Sequence, residues 1–209
     1  MLTLYGMPKT RSTRISWALE EVGAEYLYVP VDLGKGEGQT PEYLALNPAG
    51  KVPVLVDDDL VLSESAAICT YLGDKFPDTG LVPRPGTAER AHYDQWCFFV
   101  LTELEQPLWT ISKHKFALPK ERRVPGIKET SVWEFQRAAA LLANGLEGKE
   151  YLVGERFTMA DLLAAHTLSW ARAFRIPQDI ESLEEYRVKQ FSRPALQVAK
   201  EKEKGVRDE

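Results

Sequence analysis

Three short stretches of this chain carry side chains and backbone features able to do chemistry. The first is Pro8-Lys9-Thr10-Arg11-Ser12-Thr13-Arg14. Hydroxyls beside a helix start can donate to a thiolate, and such donors together with positive potential lower a thiol's pKa from its free value of about 8.5. The second is Lys51-Val52-Pro53. Proline in a strand donates nothing to the ladder. A cis Val52–Pro53 bond, the form that only X–Pro bonds adopt cheaply, would turn the chain and leave the Val52 N–H and C=O to pair with a short extended peptide. The third is Ser63-Glu64-Ser65-Ala66-Ala67-Ile68, whose Glu64 and Ser65 lie eleven and twelve residues beyond Pro53. A helix start there offers N–H groups and the positive dipole end to a carboxylate. Ser65 adds a hydroxyl, and Glu64 can accept from an ammonium. Each stretch alone has a plain structural alternative: an edge-strand proline, helix capping by Ser12, Thr13, Ser63 or Ser65, and Arg11 and Arg14 as surface charges. Together they are the parts needed to hold a γ-glutamyl-cysteinyl peptide.

The elements that must position these residues follow from hydrophobic period and punctuation. Leu2-Thr3-Leu4-Tyr5 reads as a strand. Ile15, Ala18, Leu19 and Val22 form a helical stripe ended by Gly23. Tyr26 to Val31 reads as a second strand, Lys35-Gly36-Glu37-Gly38 as a mobile loop, and Tyr43 to Leu46 as one helical turn. Val52 to Val56 and Leu60-Val61-Leu62 read as a hairpin across three aspartates, followed by a helix from about Glu64 to Phe76. The order is βαβ, then ββα. Residues 79–86, rich in proline, separate this first domain (1–78) from a second (87–209) whose pattern is helical throughout. That second part opens with a long helix from about Thr87 to Phe116, expected to kink near Pro107. A further helix spans about Lys128 to Glu147. The stretch Phe157-Thr158-Met159-Ala160-Asp161-Leu162 has the spacing of a capping box with a hydrophobic staple.

Composition narrows the classes. A net charge of −5 argues against nucleic acid. No apolar run approaches the roughly 20 residues of a membrane span, and no signal peptide is visible. Two isolated cysteines, Cys69 and Cys97, and three scattered histidines suggest neither a dithiol centre nor a metal site. A reducing cytoplasm is the simplest setting.

Asn47-Pro48-Ala49-Gly50-Lys51-Val52-Pro53-Val54-Leu55, Leu62-Ser63-Glu64-Ser65-Ala66-Ala67-Ile68 and Thr158-Met159-Ala160-Asp161-Leu162 make the chain resemble the cytosolic glutathione transferase superfamily over nearly its whole length. The resemblance implies a thioredoxin-like N-terminal domain, an all-α C-terminal domain, a homodimer, a role in detoxification, and glutathione as co-substrate without a metal. It implies that Val52 pairs with glutathione through its backbone beside Pro53. Glu64 and Ser65 would hold the γ-glutamyl end, and Lys35 would reach the glycine carboxylate. The activating position of many serine and cysteine classes is Lys9 here, and that of another cysteine class is Arg11. Thr10-Arg11-Ser12-Thr13-Arg14 followed by Trp17-Ala18-Leu19-Glu20-Glu21 is most similar to a bacterial and fungal subgroup whose hydroxyl falls at Thr10. The resemblance therefore implies Thr10 as the activating group, then Ser12, then Tyr5. It also implies an electrophile pocket between the domains, with Trp109 and Phe116 as candidates. The expected activity is conjugation of glutathione to small electrophiles. The alternatives are glutathione-dependent disulfide or peroxide reduction, and a non-catalytic interaction module.

Overall fold

The computed structural model describes residues 1–205. They divide into two compact units, the first formed by residues 1–82 with the C-terminal segment from 192, the second by residues 83–191.

In the first unit, β1 (Leu2–Gly6) leads into α1 (Ser12–Glu21), then β2 (Tyr26–Pro30), α2 (Pro41–Leu46), the hairpin of β3 (Val54–Asp57) and β4 (Leu60–Ser63), and α3 (Ser65–Lys75). The sheet order is β2-β1-β3-β4. β1 pairs parallel with β2 and antiparallel with β3, which pairs antiparallel with β4. This is the expected βαβ-ββα order and a thioredoxin-like fold. Parallel strands need a crossover rather than a turn, and α1 supplies it. The glycine-rich stretch after β2, read from sequence as a mobile loop, instead forms two 3-10 turns, Leu33–Lys35 and Glu37–Gln39. The Asp32 carboxylate organises the first by accepting from the N–H groups of Gly34 and Lys35.

α1 is buried nearly all round: Ile15, Trp17, Ala18 and Leu19 have no exposed surface, and neither do Ser12, Arg14 and Ser16. One cause is α9 (Pro194–Gly205), which packs along α1. The sequence reading groups this segment with the helical half, yet it packs with the first unit. Its buried Glu203 accepts from Thr13 Oγ1 (3.0 Å) and Ser16 Oγ (2.7 Å). Arg193 grips Glu21 through two bonds of 2.6 and 2.7 Å. A buried carboxylate is tolerated only when its oxygens are satisfied, so these hydroxyls fix the register of α9 on α1.

The second unit is helical: α4 (Ala88–Phe99), α5 (Glu105–Ser112), α6 (Ile127–Gly145), α7 (Met159–Ala173) and α8 (Glu181–Phe191). The long first helix of the sequence reading is realised as α4 and α5 joined by a π-helical turn, Val100–Leu104, with another, Lys113–Ala117, at its end. The disruption lies just before Pro107, in the π-helical turn that carries the chain from α4 into α5, where the Glu105 N–H donates to the Val100 carbonyl; the proline lacks the N–H for an ordinary helical bond. Arg123 closes the far end by donating to the carbonyls of Lys115, Phe116 and Leu118. The core is α7, where Met159, Ala160, Leu162, Leu163, Ala164, Ala165, Leu168 and Ala171 have no exposed surface. Its capping box is formed as the Thr158/Asp161 spacing predicts. No described helix is long and apolar enough to cross a membrane.

Candidate functional site

The sheet register brings the three chemistry-bearing stretches to one end of the first unit. Tyr5 pairs with Val54, and Val54 with Ser63. One residue beyond that row lie Gly6, Pro53 and Glu64, each opening one of the stretches. Gly6 allows the first to close tightly: a Cβ there would meet Ser12 Cβ at 2.8 Å and Tyr28 Oη at 3.1 Å.

The loop between β1 and α1 is built around two hydroxyls. Ser12 has no exposed surface, and its Oγ accepts from the Met7 N–H at 3.1 Å. Thr10 is half-buried. Its hydroxyl donates to the Met7 carbonyl at 2.6 Å, accepts from the Ser12 N–H at 3.1 Å and lies 3.0 Å from Ser12 Oγ. With the Thr10 proton on Met7, the Ser12 hydroxyl is the donor of that last pair. Thr10 therefore stands at the outer end of a two-hydroxyl relay and Ser12 at the inner end. Lys9, the residue before, is exposed with φ +62°.

The Val52–Pro53 bond is cis. The ladder starts at Val54, so the Val52 N–H and C=O take no part in it. The loop before it is braced from below: the Lys51 carbonyl accepts from Tyr43 Oη and from Asn47 Nδ2, both at 2.7 Å. Burial pushes the Tyr43 hydroxyl up to about 12, so it remains a donor across the neutral range. Tyr43 and Asn47 went unread as site residues in the sequence. The Asn-Pro turn was a usable signal, since Asn47 Oδ1 also accepts from the Ala49 N–H.

At the start of α3, Glu64 is exposed and takes φ +68°, ψ 110°, a conformation few non-glycine residues adopt. Backbone strain of this kind collects at functional sites. The capping alternative for Ser63 and Ser65 does not describe this end, for α3 has no side-chain cap. Ser65 is buried, and its Oγ accepts from Arg14 Nη1 at 3.1 Å. Arg14 is thus no surface charge: it is fully buried and ties α1 to the start of α3.

The other candidates are placed as follows. Lys35 is exposed on its 3-10 turn, 3.8 Å from Asp32. Tyr5 is half-buried and packs edge-on against Tyr43, beside Val31 and Val54, the setting of a strand aromatic. On the second unit, Trp109 lies half-buried in α5, and Phe116 is exposed on the π-helical turn beyond it. Both cysteines are buried, and burial pushes the Cys97 thiol up to about 12. Among the described residues, no group of His, Cys, Asp or Glu could hold a metal ion.

The chain thus combines a thioredoxin-like unit, with a cis-proline at a strand entrance, and an all-helical unit, the two-unit class its fold defines. Within it, residues 1–74 match the family model "Glutathione S-transferase, N-terminal domain" and residues 116–194 match "Glutathione S-transferase, C-terminal domain". The chain is 37% identical to Glutathione S-transferase 3 of Zea mays, across 80% of this chain and 76% of that protein. It is 35% identical to the Disulfide-bond oxidoreductase YfcG of Escherichia coli, across 78% and 77%. Among solved structures, glutathione transferase URE2P6 from Phanerochaete chrysosporium, in complex with oxidized glutathione, superposes with a TM-score of 0.85 at 29% identity, covering 98% of this chain and 97% of that one. The chain belongs to the glutathione S-transferase family.

Proposed function

We propose that this chain binds glutathione at the sheet end of its first unit and adds the glutathione thiolate to small electrophiles. The observation that carries the reading is the single row Tyr5–Val54–Ser63, beyond which the hydroxyl loop, the Val52 backbone and the Glu64–Ser65 helix start meet. In this reading Val52 pairs with the cysteinyl backbone beside Pro53. Ser65 and the first N–H groups of α3 take the γ-glutamyl carboxylate, Glu64 takes its ammonium, and Lys35 faces the glycine carboxylate. The thiol proton leaves to solvent. Thr10 then turns its own proton from the Met7 carbonyl to the sulfur, while Ser12 holds the Thr10 oxygen in place. The thiolate attacks the electrophilic carbon, a C–S bond forms, and the leaving group departs with its electron pair. We further propose that the protein works as a cytoplasmic, detoxifying homodimer without a metal.

The relative that is a disulfide-bond oxidoreductase supports a second reading on the same site. There the thiolate attacks a disulfide, forming one mixed disulfide and releasing one thiolate, and a second glutathione completes the reduction. The burial of both cysteines suits this as well, for the sulfur that reacts is then the ligand's own.

Rates with a nitro-aryl halide, hydroxyethyl disulfide and an alkyl hydroperoxide, each at saturating glutathione, separate these readings. Conjugation of the halide at the highest kcat/KM of the three is expected. A dominant disulfide or peroxide rate would replace the first reading with the second, and no turnover of any would favour an interaction module.

A further inference from the structure

Arg14 sits in the first turn of α1 with no exposed surface, and its Nη1 donates to Ser65 Oγ at 3.1 Å. A guanidinium keeps its charge at any pH a protein meets and carries donors only. Two consequences follow for the start of α3. The positive charge lies directly behind the first residue of that helix, adding to the N–H groups and dipole already aimed outward there. The Ser65 oxygen must be the acceptor in this contact, so the Ser65 hydroxyl proton is left to donate elsewhere.

We propose that Arg14 is a positioning residue for the γ-glutamyl carboxylate of glutathione: it holds the Ser65 hydroxyl as an outward donor and sets a buried charge behind the carboxylate. The proposal rests on the glutathione-binding reading above. Lysine is no equivalent, because a flexible ammonium cannot reproduce the planar fork that reaches Ser65.

Calorimetric titration of the full chain with two probes tests it. One probe is glutathione. The other is 4-aminobutyryl-cysteinyl-glycine, which lacks only the γ-glutamyl carboxylate. Arg14→Gln is expected to weaken glutathione about tenfold, equivalent to roughly 1.4 kcal/mol, while the Kd of the second probe changes less than about twofold. Arg14→Lys, the variant to rely on if Arg14→Gln does not fold, is expected to show the same ligand dependence at smaller size. In a Ser65→Ala background the loss from Arg14→Gln is expected to shrink, since the two groups act together. Equal losses on both probes, or no loss on glutathione, would overturn the role of Arg14 and leave the binding site standing. Failure of the unsubstituted protein to bind glutathione would overturn the site and this role with it.

Discussion

Asp161→Ala is expected to destabilise the second unit by about 3–5 kcal/mol, at the upper end for a single substitution. The carboxylate is fully buried at the start of α7. One oxygen accepts from the Leu152 N–H and the Tyr186 hydroxyl, both at 2.8 Å. The other accepts from the Thr158 N–H and the Thr158 hydroxyl, also at 2.8 Å. Burial raises the Asp161 pKa, and these four donors pull the other way by favouring the charged form. Alanine leaves all four donors without an acceptor, two of them backbone N–H groups that cannot turn to water. Asparagine is no rescue despite its shape, because its NH₂ must face one of the two donor pairs. Since 1 kcal/mol shifts Tm by about 2–4 °C in a chain of this size, a fall of roughly 10 °C is expected for Asp161→Ala, with much of it retained for Asp161→Asn. Thermal unfolding followed by circular dichroism reads it. A loss below about 1 kcal/mol would show that α7 does not depend on this network.

The largest catalytic effect is expected at Thr10. Thr10→Val keeps the shape and removes the hydroxyl proposed to face the sulfur. A hydrogen bond to a charged group contributes about 1.5–3 kcal/mol, and 1.36 kcal/mol is one pKa unit. The pH of half-maximal conjugation should therefore rise by about one to two units, and the rate at neutral pH should fall by about tenfold to a hundredfold. The sign follows from the thiol: losing a donor to the thiolate favours the protonated form, so more alkaline solution is needed to generate the nucleophile. Thr10→Ser should behave nearly as the parent. Ser12→Ala should show a smaller rise, because Ser12 has no exposed surface and is proposed to act through its contact with Thr10. An unchanged pH profile in Thr10→Val would remove Thr10 from the chemistry.

How much of this was legible in the sequence depended on how local the cause was. The capping box of α7 could be read because Thr158 and Asp161 are three residues apart. Its reinforcement by Leu152 and Tyr186 could not, because those residues arrive from other segments. The βαβ-ββα order was visible in the alternation of strand and helix periods, and the hairpin and its proline entrance in the turn residues. Arg14 was misread in the surface-charge alternative for a non-local reason. The apolar stripe of α1 marks one buried face, but the other face is covered by α9, nearly 180 residues later, and by the start of α3. The 3-10 turns after β2 were hidden by glycine content, although Asp32 carried a capping signal. The relay between Thr10 and Ser12 lay in a segment singled out in the sequence for its hydroxyls. Which hydroxyl stands outermost required the path of the Met7–Thr10 loop.

The central claim is that the sheet end of the first unit binds glutathione through its γ-glutamyl group and cysteinyl backbone. Calorimetric titration of the full chain with glutathione, repeated with Ser65→Ala, tests it most directly. The account predicts saturable binding of one glutathione per chain, weakened about tenfold or more by Ser65→Ala, the loss expected for a hydrogen bond to a charged group. Absence of binding to the unsubstituted protein, or an affinity indifferent to Ser65, would contradict it.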